Sequence, residues 1–461
     1  MKTKLFFAFI FSVCVSLRTG SFAQVIAAGD AHSLSVCLDN TARSWGAGGY
    51  GQLGDGTATA SSTPVQVNIL MGITALAGAG ARSLFLKNDG TVWACGYNGY
   101  GQLGDGTDTT RYTPVHVNTL SGITAVAGGY HHSLFLKNDG TVWACGNNGP
   151  GPLGDGTTID RHTPVQVNSV TGIIAVAAGV IHSLFVKNDG TVWACGWNYY
   201  GQLGDGTDTA RYTPVQVNSL TSISAVAGGT YHSLFLKNDG TVWASGDNSH
   251  SQLGDGTNTE RHTPVQVNSL TGIIAIACGD YHSLFLRNDG TVWACGLNTK
   301  GQLGDGSTTN RNIPVQVSGL MGITTVAAGN SHSLFLKNDG TVWACGYNAA
   351  GQLGDGTNTE RHTPVQVTGL CTVLSIAEQQ QESGFQIYPN PATNHLTITL
   401  GNTNKKVEVT ITDITGKIIY STTASDKQKI EVSVKDFAAG VYVARIQTAE
   451  FIETRKVIVT K

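Results

Sequence analysis

Six histidines in this 461-residue chain head one and the same triplet, His-Ser-Leu, at His32, His132, His182, His232, His282 and His332, and Arg82 fills the remaining place in the series. Imidazoles spaced so regularly invite a metal reading. Zinc, however, needs its ligands converging to about 2 Å from a single ion. Residues fifty apart in identical contexts fall in separate copies of a unit, and an arginine among them is no ligand. The side chains read instead as hydrogen-bonding locks for an inner loop of each copy.

The cysteines behave the same way. Cys95, Cys145, Cys195, Cys295 and Cys345 share a slot that holds Trp45 and Ser245 in two other copies. Strands lie about 4.8 Å apart within a sheet and a disulfide needs Cα atoms within roughly 6 Å, so equivalents in different copies are out of reach. They are expected to be small buried hydrophobes. Cys37, Cys278 and Cys371 stand outside the series, and the sequence does not pair them. The recurrent Gly-Asp-Gly-Thr, as at 104–107, supplies an aspartate per copy but lacks the alternating oxygens of a calcium loop. It reads as a turn fixed by its own carboxylate. No nucleophile elbow, phosphate loop or paired-histidine zinc motif is present. The expectation is a protein that is not an enzyme, with no catalytic residue, no metal and no cofactor.

The elements that position these residues come from a fifty-residue repeat. Gly-Gln-Leu-Gly-Asp-Gly-Thr starts at Gly51, Gly101, Gly201 and Gly351, with close variants at Gly151, Ser251 and Gly301. A repeat of this length is the mark of a solenoid or propeller. Within one unit, 123–127 is short, small and apolar, as a crowded innermost strand must be. Residues 133–137 make a second strand, Asn138-Asp139-Gly140 a hairpin tip, and 141–145 a third strand. The fourth, 163–167, contains Pro164, and every unit repeats that proline. Proline cannot donate to a ladder, so this strand belongs on an outer edge. Four antiparallel strands from axis to rim are a propeller blade, and seven units give seven blades. The fold class is therefore all-β: a seven-bladed β-propeller over 24–377, followed by a small β-sandwich of immunoglobulin-like type.

The Gly-Gln-Leu-Gly motif, the His-Ser-Leu triplet and the Asp-Gly-x-Val-Trp hairpin, recurring in fixed order, resemble the repeat of the regulator of chromosome condensation family. The resemblance implies a seven-bladed propeller. It does not carry over the nuclear role of the founding member, because this chain opens like an exported protein. Lys2 and Lys4 precede an apolar run at 5–15 and a small-x-small site, Ser21-Phe22-Ala23. That pattern predicts a signal peptide over 1–23, cleaved between Ala23 and Gln24. The run is too short to span a bilayer, so no transmembrane segment is expected. The repeat region leans acidic and has no Lys/Arg run, which argues against a nucleic-acid partner.

Residues 378–384 read as a polar linker. From 385 to 461 the period breaks into short alternating segments at 396–400, 407–411, 417–420, 430–434, 441–446 and 456–459. Tyr388-Pro389-Asn390-Pro391, Thr415-Gly416-Lys417, Gly440-Val441-Tyr442 and the closing Lys456-Val457-Ile458-Val459 resemble the C-terminal sorting domain of type IX secretion substrates. That resemblance implies handling by the secretion machinery and a secreted or cell-surface location. Residues 371–377 fall in register with 321–327 as an eighth copy of the first strand, expected to join the first blade and clasp the ring.

Blade topology sorts the loops onto two faces. The hairpins between second and third strands are nearly invariant, whereas the loops between first and second, and between third and fourth, diverge. The divergent slots hold Tyr97, Tyr100, Tyr130 and His131 in early units. Trp197, Tyr199, Tyr200 and Tyr231 follow, then His250, Tyr281 and Tyr347. Aromatic rings give large contact area at low entropic cost, so this face is the expected binding surface of a monomer. The partner expected is an extracellular protein. A glycan, stacking on the same rings, is the alternative, and an exported hydrolase or lyase a more distant one.

Overall fold

The computed structural model describes residues 25–68, 70–370, 386–399, 407–413, 417–425, 429–447 and 452–460. The predicted signal peptide with its Ala23–Gln24 cleavage site, the eighth strand copy at 371–377 and the linker at 378–384 lie outside them. The chain forms two compact units, divided after Cys371.

In the first unit, seven four-stranded antiparallel sheets follow one another, each made of four consecutive strands. In blade 3 these are Ile123–Gly128, His132–Lys137, Val142–Gly146 and Arg161–Gln166, paired in chain order. The hairpin forms where the sequence placed it. Gly140 sits at φ +77°, open to glycine at no steric cost. The Asp139 carboxylate accepts the Thr141 N–H at 2.9 Å. Pro164 lies on the outermost strand, where its missing N–H breaks no ladder bond.

Alternation along the second strand decides the packing. Phe135 points back to meet Leu84, Leu103 and Val117 of blade 2. Leu134 and Leu136 point forward to meet Leu153, Val167 and Phe185. The period of two thus serves both neighbours, and the propeller core is a set of wedges between blades. Full burial of each such side chain is worth roughly 1.5–3 kcal/mol.

The repeated cysteines are free and buried in these wedges. Cys145 Sγ lies 3.6 Å from the Gln102 carbonyl, and burial pushes its thiol up to about 12. They are the small hydrophobes that the sequence suggested. Cys37, left open above, is disulfide-bonded.

The ring closes between blades 7 and 1. Blade 1 begins with its own short strand, Val25–Ala28, paired to His32–Val36. Trp45 replaces the usual cysteine at this seam, fully buried against Leu334, Leu336 and Leu353. Its Nε1–H donates to the Gln352 carbonyl at 2.9 Å. Among the described residues, the seam is bridged by these side chains and by backbone bonds from Asn330 N–H to the Asp30 carbonyl and Gly356 N–H to the Ser62 carbonyl, and the first blade already has four strands.

The second unit is a sandwich. One sheet contains Gln386–Tyr388, His395–Thr399 and Lys429–Ser433. The other contains Ile418–Ala424, Val407–Asp413, Gly440–Gln447 and Ile452–Val459. Leu396, Ile398, Val409, Ile411, Val432, Ala444 and Ile446 fill the space between. The six expected strands are present. Gln386–Tyr388, too short to show alternation, was not foreseen.

Candidate binding face

Beneath the variable loops runs a ring of hydrogen bonds that fixes their bases. His132 Nε2 meets Ser183 Oγ of the next blade at 3.0 Å, and Ser183 Oγ–H donates to the Pro152 carbonyl at 2.7 Å. The same bridge recurs from His182 to Ser233, His232 to Ser283 and His282 to Ser333. His332 to Ser33, at 3.0 Å, carries it across the seam, and His32 to Ser83 continues it. In blade 2 the Arg82 guanidinium takes over, reaching Ser133 Oγ and the carbonyls of Gly129, Tyr130 and His132. The histidines therefore join neighbouring blades, where the sequence suggested a lock within each copy.

Each serine gives its proton to a carbonyl, so it accepts from the imidazole, which carries its hydrogen on Nε2. Burial holds His182, His232, His282 and His332 down to about 3 and His32 to about 4. They are neutral struts.

The loop between third and fourth strands is equally rigid. Asn98 Oδ1 accepts the Leu103 N–H at 2.8 Å, while Nδ2 donates to Asp105 Oδ1 and the Thr107 carbonyl. Asp105 accepts from Thr107 N–H at 3.0 Å and pairs with Arg111 Nη2 at 2.7 Å. Burial alone would raise this carboxyl, but the bonds from Thr107 and Arg111 outweigh it and hold the group below its ordinary value. This is the aspartate turn that the sequence indicated. Its counterparts pair Asp155 with Arg161 and Asp205 with Arg211, both at 2.7 Å.

On this frame the structure groups the aromatic residues into two runs. Across blades 1 to 3, Tyr97 lies 5.3 Å from Tyr50 and 6.4 Å from Tyr100. Tyr100 lies 4.8 Å from His131, which abuts Tyr130 at 4.4 Å. Across blades 4 to 6, Trp197 and Tyr199 stack at 6.4 Å, and Tyr199 meets Tyr200 at 5.1 Å. Tyr200 meets Tyr231 at 4.9 Å, Tyr231 meets Tyr281 at 6.5 Å, and Tyr281 meets His250 at 5.0 Å. Tyr347 pairs with Lys300, whose Nζ lies 5.4 Å from the ring centroid. Trp197 is 38% exposed and Tyr199 62%. Burial and the neighbouring phenol of Tyr231 push the Tyr281 hydroxyl up to about 12, so it stays protonated.

Two features escaped the sequence reading. Tyr50, exposed and packed on Tyr97, occupies the slot of Tyr100 and Tyr200, so the repeat register alone could have found it. The second lies on the axis. The first strands line a central cavity of about 180 Å³ whose polar lining includes Asp30, Tyr130, Asp280 and Asn330. Backbone bonds link this level around the ring: Asp30 N–H to Gly80 O, Thr230 N–H to Asp280 O, and Asn330 N–H to Asp30 O. Burial pushes the Asp30 carboxyl up to about 7, the charge of Asp280 adding to it, against the pull of Arg82 and a bond from Tyr130. Burial likewise lifts Asp280 to about 6, with the Thr230 hydroxyl beside it opposing.

Comparison with known proteins places this geometry. The RCC1-like domain matches residues 12–228 and 218–385, and the secretion system C-terminal sorting domain matches 386–460. No curated protein matches the chain. Among solved structures, yeast RCC1 (Prp20) in its complex with Kap60 is 21% identical, covering 74% of this chain and 84% of that one, with a TM-score of 0.66. Prp20p from Saccharomyces cerevisiae, solved in a study of its binding to Gsp1p and histones, is 22% identical over 74% of this chain and 87% of its own, with a TM-score of 0.65. Human WBSCR16 is 24% identical over 74% and 94%, with a TM-score of 0.64. These likenesses establish a shared propeller fold. The sorting domain supports export and a secreted or cell-surface location. The chain is an RCC1-like propeller with a secretion sorting tail, and it belongs to the RCC1-like domain family.

Proposed function

We propose that this is an exported binding protein, not an enzyme, and that it holds a protein partner on the face carrying the two aromatic runs. The observation that carries the reading is their placement. Eleven of the rings in Tyr50–Tyr97–Tyr100–His131–Tyr130 and Trp197–Tyr199–Tyr200–Tyr231–Tyr281–His250 connect without a break within each run, on one face. From blade 2 onward the loops between third and fourth strands are braced by buried Asn98-type side chains, so little entropy is lost when a partner docks. The imidazoles that might have served catalysis are sequestered and neutral, which favours binding over chemistry. After removal of the signal peptide at Ala23–Gln24, the tail would direct passage through the secretion machinery.

The stacked pair Trp197 and Tyr199, with 28° between ring planes, supports carbohydrate as a second ligand class, since both faces of a sugar suit such a platform. Two experiments together decide. Affinity capture with the mature propeller should recover a saturable protein partner, and a glycan array should stay blank. A strong array signal without protein capture would reverse the order of the two readings.

A further inference from the structure

The central cavity opens among the variable loops, where Asp30 of blade 1 and Asp280 of blade 6 flank Asn330 of blade 7. The charges here do not balance. Arg82 is the buried cation that acts on Asp30, and its donors are committed to Ser133 and to three backbone carbonyls. It can offset one carboxylate, which leaves the second uncompensated. The Thr230 hydroxyl, in a residue only 6% exposed, lies beside the Asp280 carboxyl and favours its charged form.

We propose that this mouth receives one organic monocation, the ammonium or guanidinium end of a lysine or arginine side chain projecting from the protein partner. The proposal rests on the reading of the aromatic face as the partner surface, and it names the chemistry that the partner must present. One added positive charge closes the account that Asp30, Asp280 and Arg82 leave open. Asp280 and Asp30 can accept its N–H donors, and Tyr130, also in the lining, supplies a ring face. A divalent metal fits less well. Calcium takes six to eight oxygens, and the carbonyls of Gly80, Asp280 and Asn330 at this level already accept inter-blade N–H groups. Among the described residues no three acidic, histidine or cysteine side chains converge on one point.

The test uses the mature full-length chain and two blocked tripeptides, acetyl-Gly-Lys-Gly-amide and its norleucine isostere, titrated by calorimetry. The lysine peptide should bind at least about tenfold more tightly than the isostere. Asp280→Asn should lose about tenfold for the lysine peptide, and Asp30→Asn a similar factor. Both substitutions remove a buried charge, so melting temperature should hold or rise. In the unmodified protein, lysine-peptide affinity should climb from pH 5.5 to 8 as the two carboxyls ionise. The groups facing them are Arg82, Tyr130 and Tyr281, none of which titrates in that interval; His131, packed on Tyr130, is held near 4 by burial. Equal binding of the two peptides, full affinity in Asp280→Asn, or calcium binding in place of peptide binding would each overturn the proposal. Failure of the face reading is distinguishable. Trp197→Ala would then leave capture of the partner intact while the lysine peptide still binds.

Discussion

At the scale of single residues, the His–Ser bridges show how a sequence motif that looks catalytic becomes mechanical. Ser183 satisfies two buried groups at once, the His132 imidazole and the Pro152 carbonyl. Ser183→Ala strands the His132 Nε2–H and leaves the Pro152 carbonyl only the weak Cys195 thiol donor at 3.6 Å; an unsatisfied buried group costs about 1–3 kcal/mol, so stability should drop by about that much in urea unfolding. A variant within experimental error of the parent would mean that water replaces the bridge. The aromatic residues behave oppositely. Trp197→Ala and Tyr231→Ala should leave the melting curve nearly unchanged while weakening partner binding by about 2 kcal/mol, roughly thirtyfold. Surface plasmon resonance against the captured partner measures this. Tyr50 shows how register could have been used further, since it shares the slot of Tyr100 and Tyr200 and completes the first run.

At the scale of elements, the two ends of each blade do different work. The hairpin end repeats one exposed pair after another, Lys187 with Asp189 at 3.5 Å and the Lys187 ammonium 5.8 Å from the Trp193 ring. Exposed ion pairs contribute about 0–1 kcal/mol, which makes this face uniform and energetically quiet. Lys187→Ala and Asn188→Ala should therefore shift partner affinity by less than about twofold. Abolished binding in those variants would place the interface on the wrong end of the barrel of blades. The loops at the other end differ in sequence, yet in blades 2 to 7 they share one scaffold, because Asn98, Asp105 and Arg111 and their equivalents hold the backbone whatever ring is mounted on it; blade 1 has Gly48 and Ser61 in two of these places.

At the scale of the whole molecule, the ring of neutral imidazoles sets an acid limit. A histidine held at about 3 when folded and near 6.5 when unfolded contributes stability that is fully present above pH 6.5. That contribution drains away as pH falls toward the folded values. Asp30 and Asp280, raised to about 7 and 6, act in the opposite sense, but they are two against six. Urea midpoints should accordingly fall between pH 6.5 and pH 4.5, and a flat profile would contradict the depressed imidazoles. The sorting domain has its own core, from Leu396 to Val457, so deleting 386–461 should leave the propeller's unfolding transition in place. The deleted form should be retained in the periplasm; normal appearance in the medium would refute the export role of the tail.

The sequence by itself determined the blade count, the strand order and the outer edge, because the fifty-residue period, the Asn-Asp-Gly hairpins and the repeated prolines act locally. It also determined that the aspartate loops are turns and that the repeated cysteines are packing groups. Tertiary structure alone decided what depends on contacts between distant copies. The histidines bridge blades through serines fifty-one residues away, and 299 residues away at the seam, which no local pattern reveals. Trp45, an irregularity in the repeat, proves to be the residue that fills the closure between first and last blades. Asp30 and Asp280 look like ordinary loop residues 250 positions apart. Only the closing of the ring brings them to one cavity, where burial and mutual repulsion raise the Asp30 carboxyl and burial raises that of Asp280.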